Sequence, residues 1–271
     1  MTKIQPRLSY YMISVWMTCC NRAQYLEDAI NSILSQTLMP SEILISNDCS
    51  TDGTKEILDR YADEHPDLIK VYHQPVRLGI TKNKNFLLRK CKGEYITWLD
   101  GDDRFLPQKL EREMDCFHKY PDAKVVVSDC DRIDEYGRFV KPHFRGCLLE
   151  SCQQPYFGPA DIDLYSAALR IQHRGVHCRN ELVYRDALED IGLYDENVVL
   201  WQDFDYRIRL FKKFQVIYLP CTTHEWRRYS SQSSQTDEEQ SRKDIQYLYD
   251  KYNIATESEE LQSNWPEWCR K

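Results

Sequence analysis

Three carboxylates gathered round one glycine, Asp100-Gly101-Asp102-Asp103, follow directly on the apolar run Tyr95, Ile96, Trp98 and Leu99. A strand that stops so abruptly delivers its polar residues together at its C-terminal edge, the side on which open α/β sheets take ligands. Carboxylates this close repel one another, and a hard divalent cation shared with phosphate oxygens relieves that repulsion. The stretch therefore reads as a metal and diphosphate site. It also suits an ordinary solvated turn with Asp103 capping the next helix, and alone it does not separate the two.

The elements that must carry these carboxylates alternate. Ile13 to Met17 is a buried strand closed by the polar stop Thr18 to Arg22, and Tyr25, Ala29, Ile30, Ile33 and Leu34 then recur at helical spacing. Glu42 to Ser46 is a second strand, broken at Asn47 to Thr54; Ile57, Leu58, Tyr61 and Ala62 form the next helical face, and Ile69 to His73 a third strand. Gly79 to Cys91 is a further helix leading into the acidic strand end. Such alternation predicts an α/β fold, a mostly parallel sheet flanked by helices, and right-handed crossovers bring the strand ends to one side. Thr18 to Arg22, Asp48 and Asp100 to Asp103 then line one crevice. Neither a GxGxxG nor a GxxxxGK[ST] loop is present, so a nucleotide here has to be held by carboxylate, metal and side chains.

Beyond the acidic turn the pattern predicts a helix over Lys109 to Phe117, a strand over Ala123 to Ser128 and a hairpin turn at Asp134 to Arg138. Residues 142–180 lack periodicity, which suits a specificity region. A strand at Asn180 to Arg185 and a short helix at Ala187 to Gly192 follow. Phe204, Ile208 and Phe211 share one helical face, leaving Asp203 at the helix start and pointing out of the core. Val216 to Leu219 reads as the last strand, Arg227 to Gln235 as a polar linker, and Asp237 to Lys271 as a tail holding a helix (Ile245, Leu248, Tyr249, Tyr252) and the pair Trp265 and Trp268.

At 271 residues with a net charge of −7, the chain can bury one large core and offers no footprint for a nucleic-acid backbone. No apolar leader segment and no run of about eighteen apolar residues is seen, which predicts a cytoplasmic protein, with contact at the inner face of a membrane left open. The eleven cysteines are scattered without a CxxC pair, so they read as small buried hydrophobes rather than zinc ligands.

With these segments in order, the chain resembles family 2 glycosyltransferases, enzymes of the GT-A (Rossmann-like) fold that use nucleotide-sugar donors. The likeness runs from about Ile13 to about Ser231. It rests on Thr18-Cys19-Cys20-Asn21-Arg22, on Ser46 to Thr54, on Gly79 to Asn85, on Leu99 to Asp103, and on Gly192 to Glu196 with Gln202-Asp203-Phe204-Asp205. It implies a GT-A domain over 1–229, divided into a nucleotide-sugar half (1–104) and an acceptor half (105–229), with a linker and C-terminal helical tail over 230–271.

The resemblance also implies roles. Asp48 matches the acid that receives the donor base, usually uracil; Thr18, Arg22 and Lys84 border the nucleotide pocket. Asp100 and Asp102 match the acid-x-acid pair that places Mn²⁺ or Mg²⁺ against the diphosphate, Asp103 supports them, and His224 is the candidate for a further metal ligand. Asp203 matches the catalytic base of an inverting transfer, although Gln202 stands where the family usually has Glu. Asp205 and Arg209 read as a helix-surface pair. The implied partners are a nucleotide-sugar donor, UDP-linked, and a saccharide or lipid-linked saccharide acceptor in surface polysaccharide synthesis. The competing readings are a nucleotidyltransferase and a catalytically inactive sugar-nucleotide-binding or scaffold protein.

Overall fold

The first strand, β1 (Ile13–Cys19), is sealed from solvent along nearly its whole length, which is why it reads as a continuous apolar run: both of its faces are covered. The structure is a computed structural model that describes residues 11–144, 156–157, 179–229 and 237–252. β1 pairs in parallel with β2 (Glu42–Asn47) on one side and β4 (Tyr95–Asp100) on the other, and β3 (Ile69–His73) pairs in parallel with β2. The order β3-β2-β1-β4 reverses direction at β1, and that reversal opens a crevice at the strand ends. In register, Thr18 lies beside Asp100 and Cys19 beside Asn47. The sequence-stop residues of three strands therefore meet at one edge.

The sheet continues through the short antiparallel β9 (Leu182–Tyr184), which joins β4 to β6 (Val125–Ile133). β6 runs parallel to β10 (Val216–Arg227), whose far side takes the two-residue β5 (Arg104–Phe105) antiparallel. β7 (Phe139–Phe144) pairs with β6, and β8 (Tyr156–Phe157) with β10.

Alternation along β1 splits the core in two. Ile13, Val15 and Met17 pack on one face with Leu26 and Ile30 of α1 (Ala23–Leu34), Leu58 of α2 (Thr54–Glu64) and Leu110 and Phe117 of α4 (Lys109–Lys119). Trp16 packs on the other with Leu87 of α3 (Ile80–Leu88), Leu188 of α5 (Arg185–Ile191), Phe204 and Leu210 of α6 (Gln202–Lys213) and Leu248 of α7 (Glu238–Tyr252). The C-terminal helix is therefore part of the core that supports α6.

The last strand is longer than its apolar residues suggest. It extends through Pro220 and the polar run after it to Arg227, and the register of β10 on β6 shifts between Leu219 and Thr222 and again before His224. A proline is tolerated at such an irregularity, and the shift hides the strand from a period-2 pattern. Arg227, expected in a polar linker, is instead the buried last residue of β10. Most of 142–180, and Trp265 and Trp268, lie outside the described residues. Among the described residues no helix is long and apolar enough to cross a membrane.

Candidate active site

At the β1/β4 edge a cleft of about 630 Å³ is lined by Thr18, Arg22, Asp48, Lys84, Asp100, Asp102 and Asp203, together with Arg179, Gln202 and Trp226. Seven of the eight site residues expected from sequence thus share one cavity. His224 is the exception. It is fully buried, with Thr223 Oγ1 3.2 Å from its Nδ1, and it is not on the cleft wall. Two residues further along the same strand, Trp226 takes the position facing the cavity.

Asp48 stands just past β2, its N–H donated to Cys19 O at 2.8 Å. Its two carboxylate oxygens accept the backbone N–H groups of Leu78 (2.6 Å) and Gly79 (2.9 Å). Gly79 has φ +81°, a backbone turn that suits glycine, and this turn aims its N–H at Asp48 before α3 begins. Both oxygens keep a second lone pair, so the fixed carboxylate can still accept a ring N–H. Lys84, buried on α3, sets its Nζ 4.6 Å from the centroid of the Trp98 ring and 5.5 Å from that of Tyr194.

The acidic turn is pressed against the end of β1. A Cβ at Gly101 would come within 3.0 Å of Cys19 Cβ, so glycine keeps the turn flush with the strand. Asp100, Asp102 and Asp103 each offer an oxygen within 4.8 Å of the others. A hard oxygen set of this kind fits Mg²⁺ or Mn²⁺, with the remaining positions left to phosphate and water.

The surroundings of the three carboxylates are cationic. Arg179 donates from Nη2 to Asp100 (2.8 Å) and Asp103 (3.4 Å), Arg22 Nε lies 3.4 Å from Asp102, and Tyr229 donates to Asp102 at 2.7 Å. Asp103 is the buried member and accepts the Arg227 N–H at 2.9 Å. Burial pushes its carboxyl well above the usual range; Arg179 opposes this, and Asp102 and Asp100 add to it. Burial also works against the charge of Arg22, but Asp102 leads the neighbours that hold it firmly protonated.

Asp203 occupies the first turn of α6, where a negative charge suits the helix dipole. Its carboxylate accepts Arg207 Nη1 at 3.0 Å, one turn on, and Arg207 is itself buried against Glu181 at 3.3 Å. Burial raises the Asp203 pKa, but Arg207, Lys84 and Arg179 outweigh it and bring it down to about 2. Asp203 is thus an ionised acceptor at neutral pH, held in place by a buried arginine.

Asp205, expected on the helix surface with Arg209, is instead fully buried. It pairs with Arg209 at 3.0 Å and also accepts Lys251 and Tyr252 of α7, each at 2.7 Å. Arg179, Arg227, Tyr229 and Trp226 were not singled out from the sequence. Arg179 lies within a stretch with no periodicity, Trp226 falls between the expected last strand and the linker, and Arg227 and Tyr229 sit in the polar segment that reads as a linker. The one signal available was the density of Arg and aromatic residues in Trp226-Arg227-Arg228-Tyr229.

Comparison with known proteins gives the family and the fold. The family model described as Glycosyl transferase family 2 matches residues 14–192, more than half of the chain. An uncharacterized glycosyltransferase of Rickettsia typhi is 28% identical over 211 residues, covering 76% of this chain and 61% of its own. The chain thus spans about three fifths of the length of that relative. The structure of S. aureus TarS 1–349 in complex with UDP-GlcNAc superposes with a TM-score of 0.65 at 15% identity, over 94% of this chain and 78% of that one. That of GalNAc-T7 with UDP, GalNAc and Mn²⁺ gives 0.65 at 16%, over 95% and 52%. At these identities the structural likenesses establish the fold, a GT-A arrangement.

Proposed function

Because the chain belongs to glycosyl transferase family 2, we propose that it transfers a sugar from a nucleoside diphosphate, UDP in our reading, to a hydroxyl of a saccharide or lipid-linked saccharide, with inversion at the anomeric carbon. The observation that carries this is the single cleft: Asp48, the Asp100/Asp102 pair and Asp203 come from distant parts of the chain and line one cavity.

In this proposal Asp48 accepts the base N–H, with Thr18 and Arg22 bordering the nucleotide. Asp100 and Asp102 hold a divalent cation, Mn²⁺ or Mg²⁺, with Asp103 behind them; when bound, the cation supplies charge neutralisation for the departing diphosphate. Asp203, already ionised, takes the proton of the acceptor hydroxyl as that oxygen attacks from the face opposite the leaving group. One bond forms to the anomeric carbon while the bond to phosphate oxygen breaks, and inversion follows. Lys84 adds positive charge beside Asp203, which sharpens the field along which charge moves. The role in surface polysaccharide synthesis is proposed on family grounds.

The test is a panel of nucleotides and nucleotide-sugars scored for thermal stabilisation with and without Mn²⁺, since a ligand of the native state raises apparent stability. Uridine nucleotides are expected to give a Mn²⁺-dependent rise. The absence of any shift with all of them contradicts the donor assignment.

A further inference from the structure

Three polar atoms on the cleft wall are buried without a partner among the described residues: Arg179 Nε, Trp98 Nε1 and Gln202 Oε1. Buried polar groups are nearly always satisfied, so orphans gathered in one cavity mark places where a ligand supplies the missing partner. Of the three, Arg179 is the one that carries charge. Its guanidinium lies between the two functional ends of the cleft, with Nη2 on Asp100 and Asp103 on one side and its charge felt by Asp203 on the other. Two indoles hold it in place, at 5.1 Å (Trp226) and 5.7 Å (Trp98) from their ring centroids.

We propose that Arg179 is a donor-diphosphate ligand that, in the ligand-free protein, occupies the carboxylates a divalent cation needs. The proposal rests on the metal-assisted reading given above. Asp100 is both the nearest partner of Arg179 and one of the three residues able to hold a cation. A guanidinium and a divalent ion repel each other, so an arriving cation weakens the Arg179–Asp100 contact. The freed fork then faces phosphate oxygens that the same cation has drawn into the cleft, a geometry that guanidinium matches with two parallel N–H donors. Carboxylates stay neutralised in both states, first by arginine and then by metal. Arg179 thereby couples ion entry to diphosphate capture.

This coupling predicts two shifts of opposite sign, neither read from turnover. Mn²⁺ binding without nucleotide is followed by the electron paramagnetic resonance of the free ion, and UDP binding at saturating Mn²⁺ by calorimetry, on the full chain. Arg179→Met removes the competitor and the phosphate ligand together, so Mn²⁺ binds more tightly while UDP binds about tenfold more weakly. Arg179→Lys keeps the charge but loses the fork; it moves both constants the same way by less, and it carries the test should Arg179→Met fail to fold. Mn²⁺ and UDP affinities that fall together, or that both stay within about twofold of the unsubstituted protein, overturn the proposal. Should the unsubstituted protein bind neither Mn²⁺ nor UDP, the metal-assisted reading itself fails and takes this one with it; normal binding there with unmoved variants removes Arg179 alone.

Discussion

Asp244 tests whether α7 holds the segment that leads into the proposed base. Its Oδ2 accepts three consecutive backbone N–H groups, from Val199 (2.9 Å), Leu200 (2.5 Å) and Trp201 (3.1 Å), and the Trp201 indole donates to Ser241 at 2.6 Å. Asp203 follows two residues later. Asp244→Ala strips the acceptor from three N–H groups at a helix entrance that Asp244, itself buried, closes off. A hydrogen bond to a charged group contributes about 1.5–3 kcal/mol. The three share one oxygen and are not additive, so the expected loss is about 3 kcal/mol. At about 2–4 °C per kcal/mol for a chain of this class, the melting temperature falls by about 6–12 °C. Asp244→Asn, which keeps an oxygen acceptor, is expected to lose about half as much. UDP affinity at a temperature where both proteins are folded stays unchanged, because Asp48 and Asp100 sit on other elements, whereas kcat falls as Asp203 loses its fixed position. Melting within about 2 °C of the unsubstituted protein refutes the clamp.

Asp48→Ala is expected to weaken UDP binding by about 10- to 100-fold in calorimetry, the loss of one charge-assisted hydrogen bond, and to leave Mn²⁺ binding without nucleotide unaltered. The Asp203 carboxyl has a folded pKa near 2 against an ordinary 3.8. A depressed carboxylate stabilises the fold above its unfolded pKa, so about 2 kcal/mol is lost as pH falls from about 4 to about 2, measurable in urea melts across that window. By the same sign, any acid limb in turnover near neutral pH belongs to another group, and Arg207→Met, by removing the chief cation that lowers Asp203, moves the acid limb of Asp203 upward. Lys109 and Glu113 form a fully buried pair on α4, and Lys109 Nζ also donates to Asn180 O at 2.7 Å, next to Arg179. Lys109→Met costs about 3–5 kcal/mol in chemical denaturation, and adding Glu113→Gln recovers part of it.

The part of the sheet formed by β1 to β4 was legible because its physics is local. Each strand there is a short apolar run closed by a polar stop, and parallel connectivity with a fixed hand sends every stop to one edge; Thr18, Asp48 and Asp100 needed nothing more to be found. Asp203 was legible from helical spacing, since Phe204 and Ile208 fix which way it points. What stayed hidden depends on contacts between distant segments. Arg179 has no pattern around it and gains its meaning only from meeting Asp100, 79 positions earlier. Arg227 looks like solvated charge, yet it is buried, its N–H donated to Asp103 and its Nε to the Asp102 carbonyl at 2.8 Å. His224 is the reverse case: a plausible ligand by residue type that is fully buried and off the cleft wall.

Asp203→Asn, with turnover and binding measured on the same preparation, separates catalysis from recognition most directly. UDP release from the donor is expected to fall by about 10²- to 10⁴-fold, the contribution of a positioned general base. Binding of the nucleotide with Mn²⁺ stays within about threefold, because Asp203 is not among the residues proposed to hold it. Turnover that survives the substitution, or binding that disappears with it, contradicts the division of one cavity into a donor side and a proton-accepting side.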